Sequence, residues 1–162
     1  LCANVLLAQS FFTIGDLTYH VISSTKVEVM KCDTSATSVA IPETVIHDGI
    51  TYTVHKIGDY QIVSERGITT YYGAFQFCKN LISITMPNSI VSIGDCAFYG
   101  CENLTSITIP NGVESIGQHA FLRCNNLTTV TIPNSVKYIL HYAFGECNNL
   151  TAVFSPTPGH PG

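Results

Sequence analysis

Ala97-Phe98-Tyr99-Gly100-Cys101-Glu102-Asn103-Leu104-Thr105-Ser106-Ile107-Thr108-Ile109-Pro110-Asn111-Gly112-Val113-Glu114-Ser115-Ile116-Gly117-Gln118-His119 decides the fold, because it recurs. Phe75, Phe98, Phe121 and Phe144 are 23 residues apart, and so are Cys78, Cys101, Cys124 and Cys147. Leu81, Leu104, Leu127 and Leu150 keep the same step, as do Pro87, Pro110, Pro133 and Pro156, and Ala74, Ala97, Ala120 and Ala143. A fixed period of this length is the signature of a stacked-repeat architecture and overrides local readings of the chain.

Each part of the unit has a physical role. From Ile107 the segment alternates apolar and hydroxyl residues and is β-branched, which predicts a short strand. Pro110 has no amide hydrogen to give a ladder and ends it. Asn111-Gly112 and its counterparts Asn88-Ser89 and Asn134-Ser135 make the turn. Val113 and Ile116 return an apolar edge on the opposite side of the coil, and Gly94 and Gly117 are expected to supply backbone freedom at the next bend. One coil buries too few side chains to offset the entropy of ordering its 23 residues, so coils must stack and share a core. Stacked coils place their strands in a parallel sheet about 4.8 Å apart. The expected fold is a β-rich solenoid wound as a right-handed coil.

These residues resemble the BspA-like class of leucine-rich repeats in its 23-residue form, through the motif Ile-Pro-Asn…Val…Ile-Gly…Ala-Phe…Cys…Asn-Leu. The resemblance runs from Val39 to about Pro156. Val39-Ala40-Ile41-Pro42-Glu43-Thr44-Val45 is its first entry, and Gly49 to Val54 is similar to the family's opening hairpin. It implies a secreted or surface-displayed protein that binds other macromolecules, commonly host matrix proteins or other cells, and it does not imply catalysis. Leu140 departs from the pattern where Gly94 and Gly117 stand. The segment Tyr60–Tyr72 interrupts it.

Upstream of the repeats, Phe12-Thr13-Ile14 and Leu17-Thr18-Tyr19-His20-Val21 alternate about Gly15-Asp16, a two-residue hairpin turn. Lys26 to Met30 alternates again. A small antiparallel β cap over the first coil follows, shielding an edge that would otherwise recruit another chain. The apolar stretch Leu1–Ser10 ends in small residues and reads as the tail of a secretory signal peptide, with a first strand as the alternative. The expected organisation is thus a signal remnant at 1–10, the cap at 11–38, the solenoid at 39–156 and a truncated tail at 157–162.

Composition removes several function classes. The chain has 162 residues, a net charge of −4 and 11% charged residues. Phosphate neutralisation needs clustered Lys and Arg, so nucleic acid is not an expected partner. An apolar fraction of 46% argues against disorder, and no apolar run is long enough to span a membrane as a helix.

Few residues invite chemistry. Cys78, Cys101, Cys124 and Cys147 should stack close enough for disulfides, yet inward parallel thiols suit the role of small buried hydrophobes better. The seven cysteines include no zinc-type Cys-x-x-Cys pair, and no metal or cofactor is expected. Cys96 lies out of the ladder register. No His-x-x-x-His, Gly-x-Ser-x-Gly or phosphate-loop motif occurs, so no catalytic residues are assigned. An enzyme built on Cys96 or His119 is the least favoured reading. The triplets at Asn103, Asn126 and Asn149 match a glycosylation sequon, but they are part of the repeat, and Asn at the bend is expected instead to hydrogen-bond neighbouring backbone in a ladder.

The expected ligand-binding residues are the outward hydroxyls of the parallel strands, Ser83, Thr85, Ser106, Thr108, Thr129 and Thr131. Tyr60, Arg66, Tyr71 and Tyr72 of the interrupting loop join them, because Tyr and Arg are enriched at protein interfaces. The expected function is an exported or cell-surface module that binds extracellular or host-surface proteins, or glycans. The alternative is a spacer that presents other domains of a longer protein.

Overall fold

A computed structural model describes residues 11–63 and 69–154, with residues 60–63, 69–71 and 152–154 described by their backbone alone. The N-terminal strands β1 (Phe11–Ile14), β2 (Leu17–Ser23) and β3 (Lys26–Cys32) form an antiparallel meander. Gly15-Asp16 makes its first turn, with Gly15 at a φ of 58° and Ile14 opposite Leu17. One face carries Leu17, Tyr19, Val21, Val27 and Val29, all buried. The period-2 pattern therefore set the inward side as expected.

The meander is the beginning of the solenoid's own sheet. β3 pairs in parallel with β6 (Ile50–Ile57), which carries on to two-residue strands β10 (Ser92–Ile93), β12 (Ser115–Ile116) and β14 (Tyr138–Ile139). β5 (Thr44–His47) and β6 form the opening hairpin about Asp48-Gly49, both at positive φ. On the other side of the coil a second set of parallel strands stacks. It comprises β4 (Ser38–Ala40) with β9 (Ser83–Thr85), and β11 (Ser106–Thr108) with β13 (Thr129–Thr131) and β15 (Ala152–Phe154). The molecule is thus a solenoid with two parallel ladders instead of the one expected sheet. The return edge around Ile93 and Ile116 is itself hydrogen-bonded from coil to coil.

The core runs continuously from Phe12 to Cys147. Leu81, Leu104 and Leu127 are fully buried, as are Ile93 and Ile116 at 1% and 0% exposure. The phenylalanines stack in register: Phe75, Phe98, Phe121 and Phe144 have centroid separations of 4.9, 5.0 and 5.0 Å and interplanar angles of 10°, 3° and 1°. That spacing is the strand-to-strand distance of the ladder.

Two local expectations are corrected. Gly94 and Gly117 do not supply left-handed backbone, since the positive-φ glycines are Gly15, Gly49 and Gly100. They allow close approach: a Cβ on Gly117 would lie 2.6 Å from Asp95 N, and one on Gly94 would lie 2.7 Å from Asp59 Oδ1. The left-handed positions fall in two other columns one repeat apart. Cys96, His119 and Tyr142 form one, and Phe77, Gly100, Arg123 and Glu146 form the other. There the chain turns its amide along the stack, as in Cys96 N–H to Gln118 O at 2.9 Å and Arg123 N–H to Gly145 O at 3.0 Å. The Tyr60–Tyr72 insertion, expected as a loop, contributes two strands. β7 (Asp59–Val63) and β8 (Thr69–Gly73) pair as an antiparallel hairpin. The expected signal remnant, Arg66 and the tail lie outside the described residues.

Candidate binding face

The outward positions of the second ladder are set by strand alternation. Ile84, Ile107 and Val130 point into the core, so the residues on either side of each point out. Ser83, Thr85, Ser106 and Thr108 are exposed, while Thr129 and Thr131 are half-buried. Register places Ser106 beside Thr129 and Thr108 beside Thr131, and Ser38 beside Ser83. Ser83 Oγ donates to Ser38 Oγ at 2.9 Å. All six predicted hydroxyl residues thus share one uncharged ladder face. Next to them a column of threonines is spent on structure: Thr128 Oγ1 donates to Thr105 O at 3.0 Å, and Thr151 Oγ1 to Thr128 O at 3.2 Å.

The face is interrupted. Among the described residues, β9 pairs only with β4, and β11 only with β13. A groove of about 320 Å³ opens where they fail to pair, lined by Thr85, Met86, Asn88, Thr108, Pro110 and Asn111 among others. The hairpin residues stand apart from this ladder in the topology: Tyr60 is opposite Tyr72 and Gln61 opposite Tyr71.

The chemical candidates separate clearly. Cys96 and His119, one coil apart, line a pocket of about 90 Å³ with Asp95 and Gln118. Asp95 Oδ1 accepts the Gln118 N–H at 2.7 Å. Burial, and then the Asp95 and Asp59 carboxylates, push the Cys96 thiol up, which disfavours the thiolate that a nucleophile needs. The ladder cysteines are free thiols. Cys101, Cys124 and Cys147 each donate to the carbonyl of the phenylalanine in the preceding coil, Phe75, Phe98 and Phe121, at 3.1, 3.2 and 3.1 Å. Cys32 joins the column at Cys78. The hydrogen bond between them, and then burial, push its thiol up. Among the described residues no group of three or more His, Cys, Asp and Glu is placed to hold a metal ion, and no helix is long and apolar enough to cross a membrane.

Asn126 Nδ2 donates to Asn103 Oδ1 at 3.3 Å, and Asn149 Nδ2 to Asn125 O at 2.7 Å. These triplets therefore form the bend ladder. The sequence reading missed one polar cluster on the first sheet. Glu28 is 9% exposed and meets His20 Nδ1 at 2.9 Å and Lys56 Nζ at 3.7 Å, while Lys56 also meets Asp59 Oδ1 at 2.9 Å. Its only signal in the sequence was a charged residue among valines in Val27-Glu28-Val29.

Comparison with known proteins agrees with this architecture. A BspA type leucine rich repeat region, in 6 copies, matches residues 68–158. A leucine-rich repeat protein from Bacteroides capillosus ATCC 29799 has a similar structure, with a TM-score of 0.75 and 27% identity, covering 92% of this chain and 100% of that one. A leucine rich cell surface protein from Faecalibacterium prausnitzii A2-165 is 26% identical with a TM-score of 0.64, over 92% of this chain and 43% of that one. A T. pallidum leucine rich repeat protein, 23% identical over 85% of this chain and 68% of its own, shares the fold with a TM-score of 0.63. No curated protein matches the chain. The repeat match spans more than half of the sequence, at the period that sets both ladders, and the chain belongs to the BspA-type leucine-rich repeat family.

Proposed function

We propose that this protein is an exported or cell-surface recognition module that binds extracellular or host-surface proteins through its hydroxyl-bearing strand face. The observation that carries the reading is the exposed, uncharged row Ser83, Thr85, Ser106 and Thr108 on a rigid stack of coils. Thr129 and Thr131 extend that row. Such a face makes many equivalent contacts, and affinity summed over repeats exceeds that of any one of them. The similar protein from Faecalibacterium prausnitzii is described as a cell surface protein, which supports the placement. In this reading residues 1–10 are a signal remnant, 11–38 the cap, 39–156 the recognition solenoid and 157–162 its tail. Tyr60, Arg66, Tyr71 and Tyr72 of the 60–72 insertion add a side contact. No step of this function is catalytic.

The test is label-free binding of the purified chain to extracellular matrix proteins and whole cells, beside a Thr108→Lys, Thr131→Lys double variant and a variant with residues 60–72 replaced by a short linker. Saturable binding that falls at least tenfold in the double variant is the expected result. A folded chain that binds nothing overturns the reading in favour of a spacer. Binding indifferent to the double variant moves the site off the strand face.

A further inference from the structure

We propose that the groove between β9 and β11 is a subsite for one neutral sugar residue of a glycan carried by the partner. This rests on the strand face being the binding face. Between β4 and β9, and between β11 and β13, the second ladder is closed past the strand ends: Ile41 N–H donates to Thr85 O at 3.0 Å and Ile109 N–H to Thr131 O at 2.9 Å. The equivalent bond from Met86 N–H to Thr108 O is not made, and the link that remains is Thr105 N–H to Ile82 O, at 3.5 Å, at the other end of the strands. The two strands are joined where they begin and part at Met86 and Thr108, and the coils meet again just beyond, where Asn111 N–H donates to Asn88 Oδ1 at 3.2 Å. The position before the proline is isoleucine at Ile41, Ile109 and Ile132 but methionine at Met86, and Met86 is half-exposed where Ile109 is buried.

The groove at this parting has the chemistry of polyol recognition. Its lining holds no charged side chain. Hydroxyls and carboxamides each offer donors and acceptors, and those of Thr85, Thr108 and Asn111 make no side-chain hydrogen bond among the described residues. The asparagines at the other bend are consumed by their ladder. Here Asn88 uses only its oxygen, accepting Asn111 N–H at 3.2 Å. The Met86 N–H and the Thr108 carbonyl, not bonded to each other, add one donor and one acceptor, and the half-buried Met86 supplies aliphatic surface for the C–H face of a ring. A volume of about 320 Å³ is at the lower end of small-ligand sites, the scale of one sugar residue. An acidic glycan or a charged peptide would find no countercharge.

The experiment uses the full chain on an array of neutral and acidic glycans, with intact and enzymatically deglycosylated matrix proteins on the same slide. Thr108→Val and Asn111→Ala remove one hydroxyl and one carboxamide, and Ser115→Ala on the opposite sheet is the control. Melting curves establish that each variant is folded. Binding to neutral glycans that drops at least tenfold in both groove variants and is unchanged in the control is the expected result. Binding confined to acidic glycans, or neutral-glycan binding indifferent to both variants, overturns the inference. Binding that survives deglycosylation and is lost with Thr108→Lys also overturns it, while leaving the protein-binding face intact. No binding by the folded chain to any glycan or protein overturns both.

Discussion

His119 sits at a φ of 58°, a conformation that L side chains adopt at a cost of roughly 1–2 kcal/mol. Its amide needs that geometry to reach His141 O at 3.1 Å. The strain is best measured by comparing two variants that both lose the imidazole: His119→Gly should be more stable than His119→Ala by about 1 kcal/mol, read as a higher urea midpoint at an unchanged slope. Equal midpoints would mean that the left-handed backbone costs nothing at this site. The cysteines make a different prediction. Cys101 and Cys124 are fully buried, their Sγ–H groups are engaged by carbonyls, and the Cys101 thiol is pushed up by burial and then by Cys78. Iodoacetamide at neutral pH should leave both unmodified in the native protein and alkylate both in denaturant, as mass spectrometry of the digest would show. The burial of these cysteines was legible because an inward position repeats with its residue type. The left-handed columns were not, because Cys96, His119 and Tyr142, or Phe77, Arg123 and Glu146, share no side-chain property. Only Gly100 hinted at the backbone.

At the level of the element, the glycine before each bend is a matter of approach distance. A Cβ on Gly117 would lie 2.6 Å from both Asp95 N and Gly94 C, which are backbone atoms and cannot swing away. Gly117→Ala should therefore separate two coils and cost about 1–3 kcal/mol, whereas alanine at Gly15, which has nothing within 4 Å, would meet only its own positive φ. A loss at Gly117 no greater than at an exposed strand residue would sink the close-approach account. The sequence reading placed the three-residue strands of the second ladder because their Ser-Ile-Thr and Thr-Val-Thr patterns show a period of two. It missed β10, β12 and β14 as strands, since two residues cannot display a period. It read the 60–72 insertion as a loop because Tyr-rich alternation is weak beside a 23-residue repeat. β6 also carries a pH response. Burial, and then the Lys26 ammonium, hold His55 below its usual value against the opposing Ser89 contact. The unfolded chain binds this proton more readily, so stability is present above the unfolded value near 6.5 and is lost as pH falls through that window. His55→Gln should flatten the fall in melting temperature between pH 7 and pH 5. An unchanged slope would assign it to other groups.

For the whole molecule the question is how far a perturbation travels. The core is continuous from the cap to the last described coil, yet the topology joins neighbours in series: β3 to β6, β6 to β10, β10 to β12, β12 to β14. Stability in such a stack is approximately a sum of unit and nearest-neighbour terms, so local openings below the global limit are expected. Phe121 lies between Phe98 and Phe144 with no exposed surface, so Phe121→Ala should cost about 3–5 kcal/mol locally. Transmitted only to neighbours, that loss should reduce hydrogen-exchange protection of the β12, β13 and β14 amides, together with the bridging amides of Phe98 and Phe121. Protection of the Tyr19, Val21 and Val29 amides in the cap should hold nearly unchanged. A drop of equal size in the cap would mean that the shared core makes the molecule one cooperative unit. The proposed recognition face would then be lost all at once rather than coil by coil.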